Sequence, residues 1–157
     1  TIKTPLIFKS LLFISQLMSQ PMTPPLDYLF VYGTLRSDSD SANYHRLIAP
    51  EFTLISRATL PGRLYLITDY PGLLRAKNDS EYVVGELYAF SGGESRLTAL
   101  DEYEECAAHS PQPHLYTRTR ESVSLPDGSV YSAWVYFYNL PVAEDSLIRS
   151  GDFLDPF

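Results

Sequence analysis

Ser91-Gly92-Gly93-Glu94-Ser95-Arg96-Leu97-Thr98-Ala99-Leu100-Asp101-Glu102-Tyr103-Glu104-Glu105 is the longer helical pattern in a chain otherwise written in strand-like runs. Ser91 followed three residues later by Glu94 has the spacing of a capping box, so the spacing predicts a helix that starts there. Its apolar stripe runs through Leu97 and Leu100. Continued by the helical offsets of seven and four residues, that stripe reaches position 104, and a carboxylate points toward the core. Acids near a helix C-terminus oppose the macrodipole by a few tenths of a kcal/mol each, whereas burying one unpaired costs roughly several kcal/mol. Two readings follow. A helix boundary shifted by about two to four residues turns Glu104 outward onto a solvated acidic face; otherwise Glu104 is a functional carboxylate, because local rules broken without compensation mark working sites. Asp101, Glu102 and Glu105 read as surface.

Outward from this helix the chain is rich in strands. Leu29–Tyr32 is a short apolar strand, 43–48 a brief helix closed by Pro50, and 52–60 and 64–67 are strands flanking the turn dipeptide Pro61-Gly62. The run 82–90 precedes the helix. After it come a Pro-rich loop over 109–114 and a hairpin, 116–125 and 130–138, joined by Pro126-Asp127-Gly128. The tail from Leu140 holds a short helical stretch. Few helices among many strands argue for an α+β fold with a mixed or partly closed sheet, not a doubly wound parallel one. The 12 Tyr, 8 Phe and one Trp suit such packing.

At 157 residues the chain suffices for one hydrophobic core. A net charge of −7 leaves no source of phosphate neutralisation, which argues against nucleic acid. Cys106 is the single cysteine, excluding an internal disulfide framework and suiting the cytoplasm. His45, His109 and His114 have no zinc-ligand spacing. Before Asp27 the only charges are Lys3 and Lys9, and Leu6–Met18 is too short and interrupted to span a membrane. The expected division is an extension over 1–26, with an organellar presequence as an alternative, and a single domain over 27–157.

In Tyr32-Gly33-Thr34-Leu35-Arg36 a buried-looking strand breaks at glycine. Successive amides released from a sheet at such a turn form an anion-binding concavity; the plain alternative is a bend. There is no phosphate loop, dinucleotide fingerprint or Gly-x-Ser-x-Gly elbow.

Together with Pro61-Gly62-Arg63-Leu64-Tyr65, Tyr70-Pro71-Gly72, Val84-Gly85-Glu86-Leu87-Tyr88, Leu100-Asp101-Glu102-Tyr103-Glu104 and Tyr116-Thr117-Arg118, that loop occurs in an order that resembles the γ-glutamylcyclotransferase-like superfamily, nearest its γ-glutamylamine cyclotransferase-like branch. The resemblance implies a small mixed β-barrel of about six strands with flanking helices. It also implies a cavity in which Tyr32, Gly33, Thr34 and Leu35 hold a small-molecule γ-glutamyl substrate, and Glu104 as the catalytic acid. No metal or organic cofactor is implied, and 5-oxoproline and an amine are the products. Residues 37–42 replace a tighter glycine-containing connection of the family, and residues 1–26 have no counterpart.

Such a cyclisation needs the substrate's own α-amine to attack its γ-carbonyl carbon, so one carboxylate can take and return the proton. Burial must lift its pKa for this. The amides of Gly33–Leu35 would bind the α-carboxylate or the developing oxyanion, Tyr32 would line the cavity, and Tyr116 or Arg118 would orient acid or substrate, with a surface cation as the plain reading of Arg118. Alternatives are a non-catalytic binding module of the same fold and a related acid/base enzyme acting on a different amide.

Overall fold

The computed structural model describes residues 25–157, and the presequence reading of the leader lies outside them. Seven strands run in chain order: β1 (Leu26–Val31), β2 (Thr53–Pro61), β3 (Arg63–Leu66), β4 (Pro71–Leu74), β5 (Tyr82–Ser91), β6 (Tyr116–Ser124) and β7 (Val130–Tyr138). Five close into a barrel in the order β1-β5-β2-β6-β7, while β3 and β4 pair separately. All barrel pairings are antiparallel except β1 with β7, which is parallel through Leu29 and Trp134. The expected α+β barrel is present, with five strands in it rather than about six.

The apolar run of β1 has no polar face because both of its faces are covered. Phe30 and Tyr32 join one buried cluster with Leu60, Val83 and Leu87; Leu29 and Val31 join another with Tyr88, Leu97, Leu100 and Tyr136. Alternation along the strand splits its side chains between the two. The cavity described below opens where β1 ends, with residues of both clusters in its wall.

The β6–β7 hairpin follows its turn chemistry. Asp127 accepts from the Ser129 amide at 2.9 Å, and Gly128 takes the left-handed φ of 87° that favours glycine.

The helix after β5 starts later than its sequence suggests. Ser91 is spent as the last residue of β5, opposite Leu26, so no capping box forms with Glu94. Gly92 and Gly93, at φ 99° and 73°, turn the chain off the sheet into a 3₁₀ turn over Gly93–Leu97. Only then does α1 (Thr98–Tyr103) begin. Six residues are too few to be stable alone, so α1 is held by packing. Leu97 and Leu100 are buried, each stabilising by roughly 1.5–3 kcal/mol. The predicted brief helix over 43–48 is instead a π-helical turn at Tyr44–Ile48.

The strand β4 and the contacts of the tail were absent from the sequence reading, although the short helical stretch after Leu140 was expected. Tyr70-Pro71-Gly72 leads into β4, which pairs with β3 from Arg63↔Leu74 to Leu66↔Pro71; Pro71 is tolerated as the first residue of a short edge strand. The tail, with a single 3₁₀ turn at Glu144–Ser146, straps the ribbon to the barrel: Ile148 donates to Leu64 at 2.7 Å, and Gly151 accepts from Val84 at 2.8 Å. Among the described residues no helix is long and apolar enough to cross a membrane.

Candidate active site

A cavity of about 240 Å³ opens at the end of β1. It is smaller than the roughly 300–1,000 Å³ sites that engulf drug-sized ligands, which suits a small acyl group. One wall is the loop Tyr32–Leu35; α1 supplies Tyr103 and Glu104, the hairpin supplies Tyr116 and Tyr136, and Tyr70 and Pro71 close the side. Of the residues read from the sequence as site candidates, Tyr32, Gly33, Thr34, Leu35, Glu104 and Tyr116 are brought together here. Arg118 is not among the lining residues.

Glu104 sits on the apolar stripe because the offsets from Leu97 and Leu100 survive the late helix start. Its amide donates to the Leu100 carbonyl at 2.8 Å, extending the helical register to position 104. Immediately beyond, the chain turns sharply. Glu105 takes φ 53°, its amide reaches the Glu102 carbonyl at 3.2 Å and the Cys106 amide reaches the Asp101 carbonyl at 2.9 Å, the paired bonds of a Schellman motif. Glu105 stands where glycine is usual, at a cost of about 1 kcal/mol.

Among the described residues no donor reaches the Glu104 carboxylate, and burial alone pushes its pKa up from 4.5 to about 8. Desolvation without a compensating cation or hydrogen bond is the cause. Burial likewise lifts the hydroxyls of Tyr32, Tyr116 and Tyr136. They stay neutral donors: Tyr32 donates to the Tyr136 carbonyl at 2.6 Å and Tyr116 to the Pro71 carbonyl at 2.7 Å. Both bonds tie cavity walls together.

Facing the acid is the loop. Arg36 donates its amide to the Gly33 carbonyl at 3.0 Å and closes the turn, and the amides of Gly33, Thr34 and Leu35 have no protein acceptor among the described residues. Three unsatisfied donors beside a cavity are a concavity for negative charge. Gly33 is required by contact, since a Cβ there would lie 2.6 Å from Pro71 Cγ. The Arg36 side chain turns away: it is 1% exposed and clamped by Asp38 (2.8 and 3.0 Å) and Asp152 (2.7 Å).

Other contributors went unread in the sequence. Tyr103 Oη shares a hydrogen bond with Thr34 Oγ1 at 3.1 Å and accepts one from Asn43 at 3.0 Å, joining α1 to the loop. Asp101, expected at the surface, is half-buried and accepts from Arg118 twice, at 2.8 and 3.1 Å, and from Tyr136 at 2.7 Å. Arg118 also stacks on Trp134 at 4.4 Å. Its charge is therefore taken up by α1 and does not face the cavity. Tyr103, three residues after Leu100, was detectable as a neighbour on the same helix face; Asp101's partners were not. Cys106 lies outside the cavity wall, with burial pushing its thiol up to about 12. Among the described residues no group of His, Cys, Asp or Glu is arranged to hold a metal ion.

Fold and cavity define a small α+β barrel that presents one unpartnered acid to a row of free amides. The chain belongs to the family described as Gamma-glutamyl cyclotransferase, AIG2-like, which it matches over residues 29–155. It is similar to the Gamma-L-glutamyl-butirosin B gamma-glutamyl cyclotransferase of Niallia circulans, with 36% identity over 113 residues, 71% of this chain and 66% of that one. It is 28% identical to the Gamma-glutamylcyclotransferase family protein YtfP of Escherichia coli (strain K12), over 81% of this chain and 96% of that one. In fold it is similar to an aig2-like protein from Mus musculus (TM-score 0.63, 23% identity, 82% of this chain and 88% of that one).

Proposed function

We propose that this protein converts a small γ-glutamyl amine or peptide into 5-oxoproline and the free amine, with Glu104 as general acid/base and without a cofactor. The observation that carries the reading is the juxtaposition of an unpartnered, partly desolvated Glu104 with the free amides of Gly33, Thr34 and Leu35 in one small cavity. The Niallia circulans relative, named for γ-L-glutamyl-butirosin B, supports a small-molecule γ-glutamyl substrate.

The chemistry turns on the first of the two protons that the α-nitrogen must give up. The Glu104 carboxylate takes it from the substrate's α-ammonium, freeing the nitrogen lone pair to attack the γ-carbonyl carbon. A five-membered ring closes and the carbonyl oxygen becomes an oxyanion. As that oxyanion collapses, the bond to the departing amine breaks and protonated Glu104 returns the proton to it; the carboxylate so regenerated takes the second proton from the cationic ring nitrogen, leaving 5-oxoproline, and passes it to the released amine, which departs as its ammonium. A carboxyl titrating near pH 8 is matched to both halves, since a base far more acidic would take the proton poorly. General acid/base help of this kind is typically worth about 10²–10⁴-fold, and holding the chain ends together adds several kcal/mol. The loop amides receive the α-carboxylate or the oxyanion.

The test is to incubate the protein and its Glu104→Gln variant with γ-glutamyl-ε-lysine, γ-glutamyl-alanine and glutathione and to quantify 5-oxoproline. The parent should form it from at least one compound, and the variant should lose at least a hundredfold in rate while binding within about tenfold. Turnover retained by the variant removes Glu104 from the reaction. A parent inert toward the whole panel, yet binding one of its members, favours the non-catalytic module.

A further inference from the structure

A second carboxylate lies outside the cavity and has no part in the proton path. Glu86, on β5, is 5% exposed. Its Oε1 accepts from the Ser37 amide at 2.5 Å, its Oε2 from the Ser37 hydroxyl at 2.5 Å, and Tyr88 donates to it at 3.2 Å. Among the described residues no cation pairs with it. A buried carboxylate held by neutral donors is a poor way to gain stability, because desolvation of the charge offsets much of what the hydrogen bonds return.

What Glu86 holds is the loop. Ser37 is two residues beyond Leu35, and Arg36 between them is itself fixed by Asp38 and Asp152. The segment carrying the three free amides thus runs from the end of β1 to two consecutive residues, Arg36 and Ser37, each held by carboxylates. We propose that Glu86 is a positioning residue: through Ser37 it sets the direction of the Gly33, Thr34 and Leu35 amides, and so fixes the subsite for the anionic end of the ligand. This rests on the γ-glutamyl reading only for the identity of that ligand. Glu86 touches no substrate. Both oxygens of Glu86 accept from one residue, and of its two donors the Ser37 amide is the one that cannot reverse.

In Glu86→Gln an NH2 group at the Oε1 position opposes both the Ser37 amide and the Tyr88 hydroxyl, and at the Oε2 position it forces the Ser37 hydroxyl to reverse from donor to acceptor. The experiment is a ¹H–¹⁵N NMR titration with L-glutamate as probe, on the parent, Glu86→Gln and Ser37→Ala, with 5-oxoproline release followed in parallel. In the parent, glutamate should shift the amides of Gly33, Thr34 and Leu35. In Glu86→Gln its Kd should weaken at least tenfold, with amide exchange at 33–35 accelerated; Ser37→Ala, which keeps the amide bond and loses only the hydroxyl, should weaken binding about threefold. If turnover is present, Glu86→Gln should raise KM, change kcat by less than about threefold and leave the limb of the pH profile where it is. Glutamate binding unchanged in a folded Glu86→Gln, or no shift of these amides in the parent, overturns the proposal, as does a displaced pH limb, which would put Glu86 in the proton path. If Glu86→Gln does not fold, Ser37→Ala decides, and binding equal to the parent's overturns the proposal. Failure of the parent to make 5-oxoproline overturns the reaction but not the positioning role, which the amide shifts report independently.

Discussion

Asp101 and Arg118, 17 residues apart, meet in two parallel hydrogen bonds of 2.8 and 3.1 Å one turn before Glu104. The pair ties α1 to the β6–β7 hairpin. Asp101 lies four residues after the N-cap of this six-residue helix, and the fixed guanidinium and the Tyr136 hydroxyl hold its carboxylate and anchor α1 to the hairpin. Asp101→Ala strands a half-buried cation and a buried hydroxyl and should cost about 2–4 kcal/mol, measured by urea unfolding. In a double-mutant cycle with Arg118→Met, a coupling energy below about 0.5 kcal/mol would show that the pair does not hold the helix.

Glu104 makes the protein less stable as pH rises. Its folded pKa of about 8 exceeds its ordinary 4.5, so between those values the folded state keeps a proton that the unfolded state gives up. Stability is then greatest below pH 4.5 with respect to this group and is lost as pH climbs through 8, at about 1.4 kcal/mol per pK unit. Glu104→Gln, neutral throughout, should match the parent near pH 4.5 and exceed it by a few kcal/mol at pH 8.5. Denaturant midpoints at the two pH values check this.

Gly33→Ala should disturb the cavity rather than the barrel. The new methyl meets Pro71 Cγ at 2.6 Å, and Pro71 is a wall residue whose carbonyl is already held by Tyr116. Overpacking of this kind costs about 1–3 kcal/mol. Glutamate affinity should fall at least tenfold in a protein whose circular dichroism is unchanged.

Tyr116→Phe removes the bond to Pro71 and nothing from the proton path. A loss of about 1–2 kcal/mol in stability is expected, with turnover within tenfold of the parent. A drop as large as that of Glu104→Gln, seen in 5-oxoproline release, would give Tyr116 a direct part in the chemistry.

The sequence was most legible where structure is local. The hairpin was readable from Pro126-Asp127-Gly128, and the inward direction of position 104 from its offsets to Leu97 and Leu100, because turn chemistry and helical period act within a few residues. It was least legible where partners are remote. Ser91 could not be known as a strand residue without its pairing to Leu26, so the capping box was credited with a helix start that sheet pairing forbids. Pro71-Gly72 had the composition of a turn, and only its register with Leu66 and Tyr65 makes it a strand. Asp101 looked like surface because Arg118 and Tyr136 reach it from the hairpin. Glu86 stood in a quoted motif, and its link to Ser37 spans 49 residues.

The most direct test of the account is a ¹³C NMR titration of the Glu104 side-chain carboxyl in the intact protein, assigned by its disappearance in Glu104→Gln. The midpoint should lie near 8, and the rise of kcat/KM with pH should follow the same midpoint. A midpoint near 4.5 would mean that the carboxyl is fully hydrated and unsuited to carry the proton, and would contradict the account.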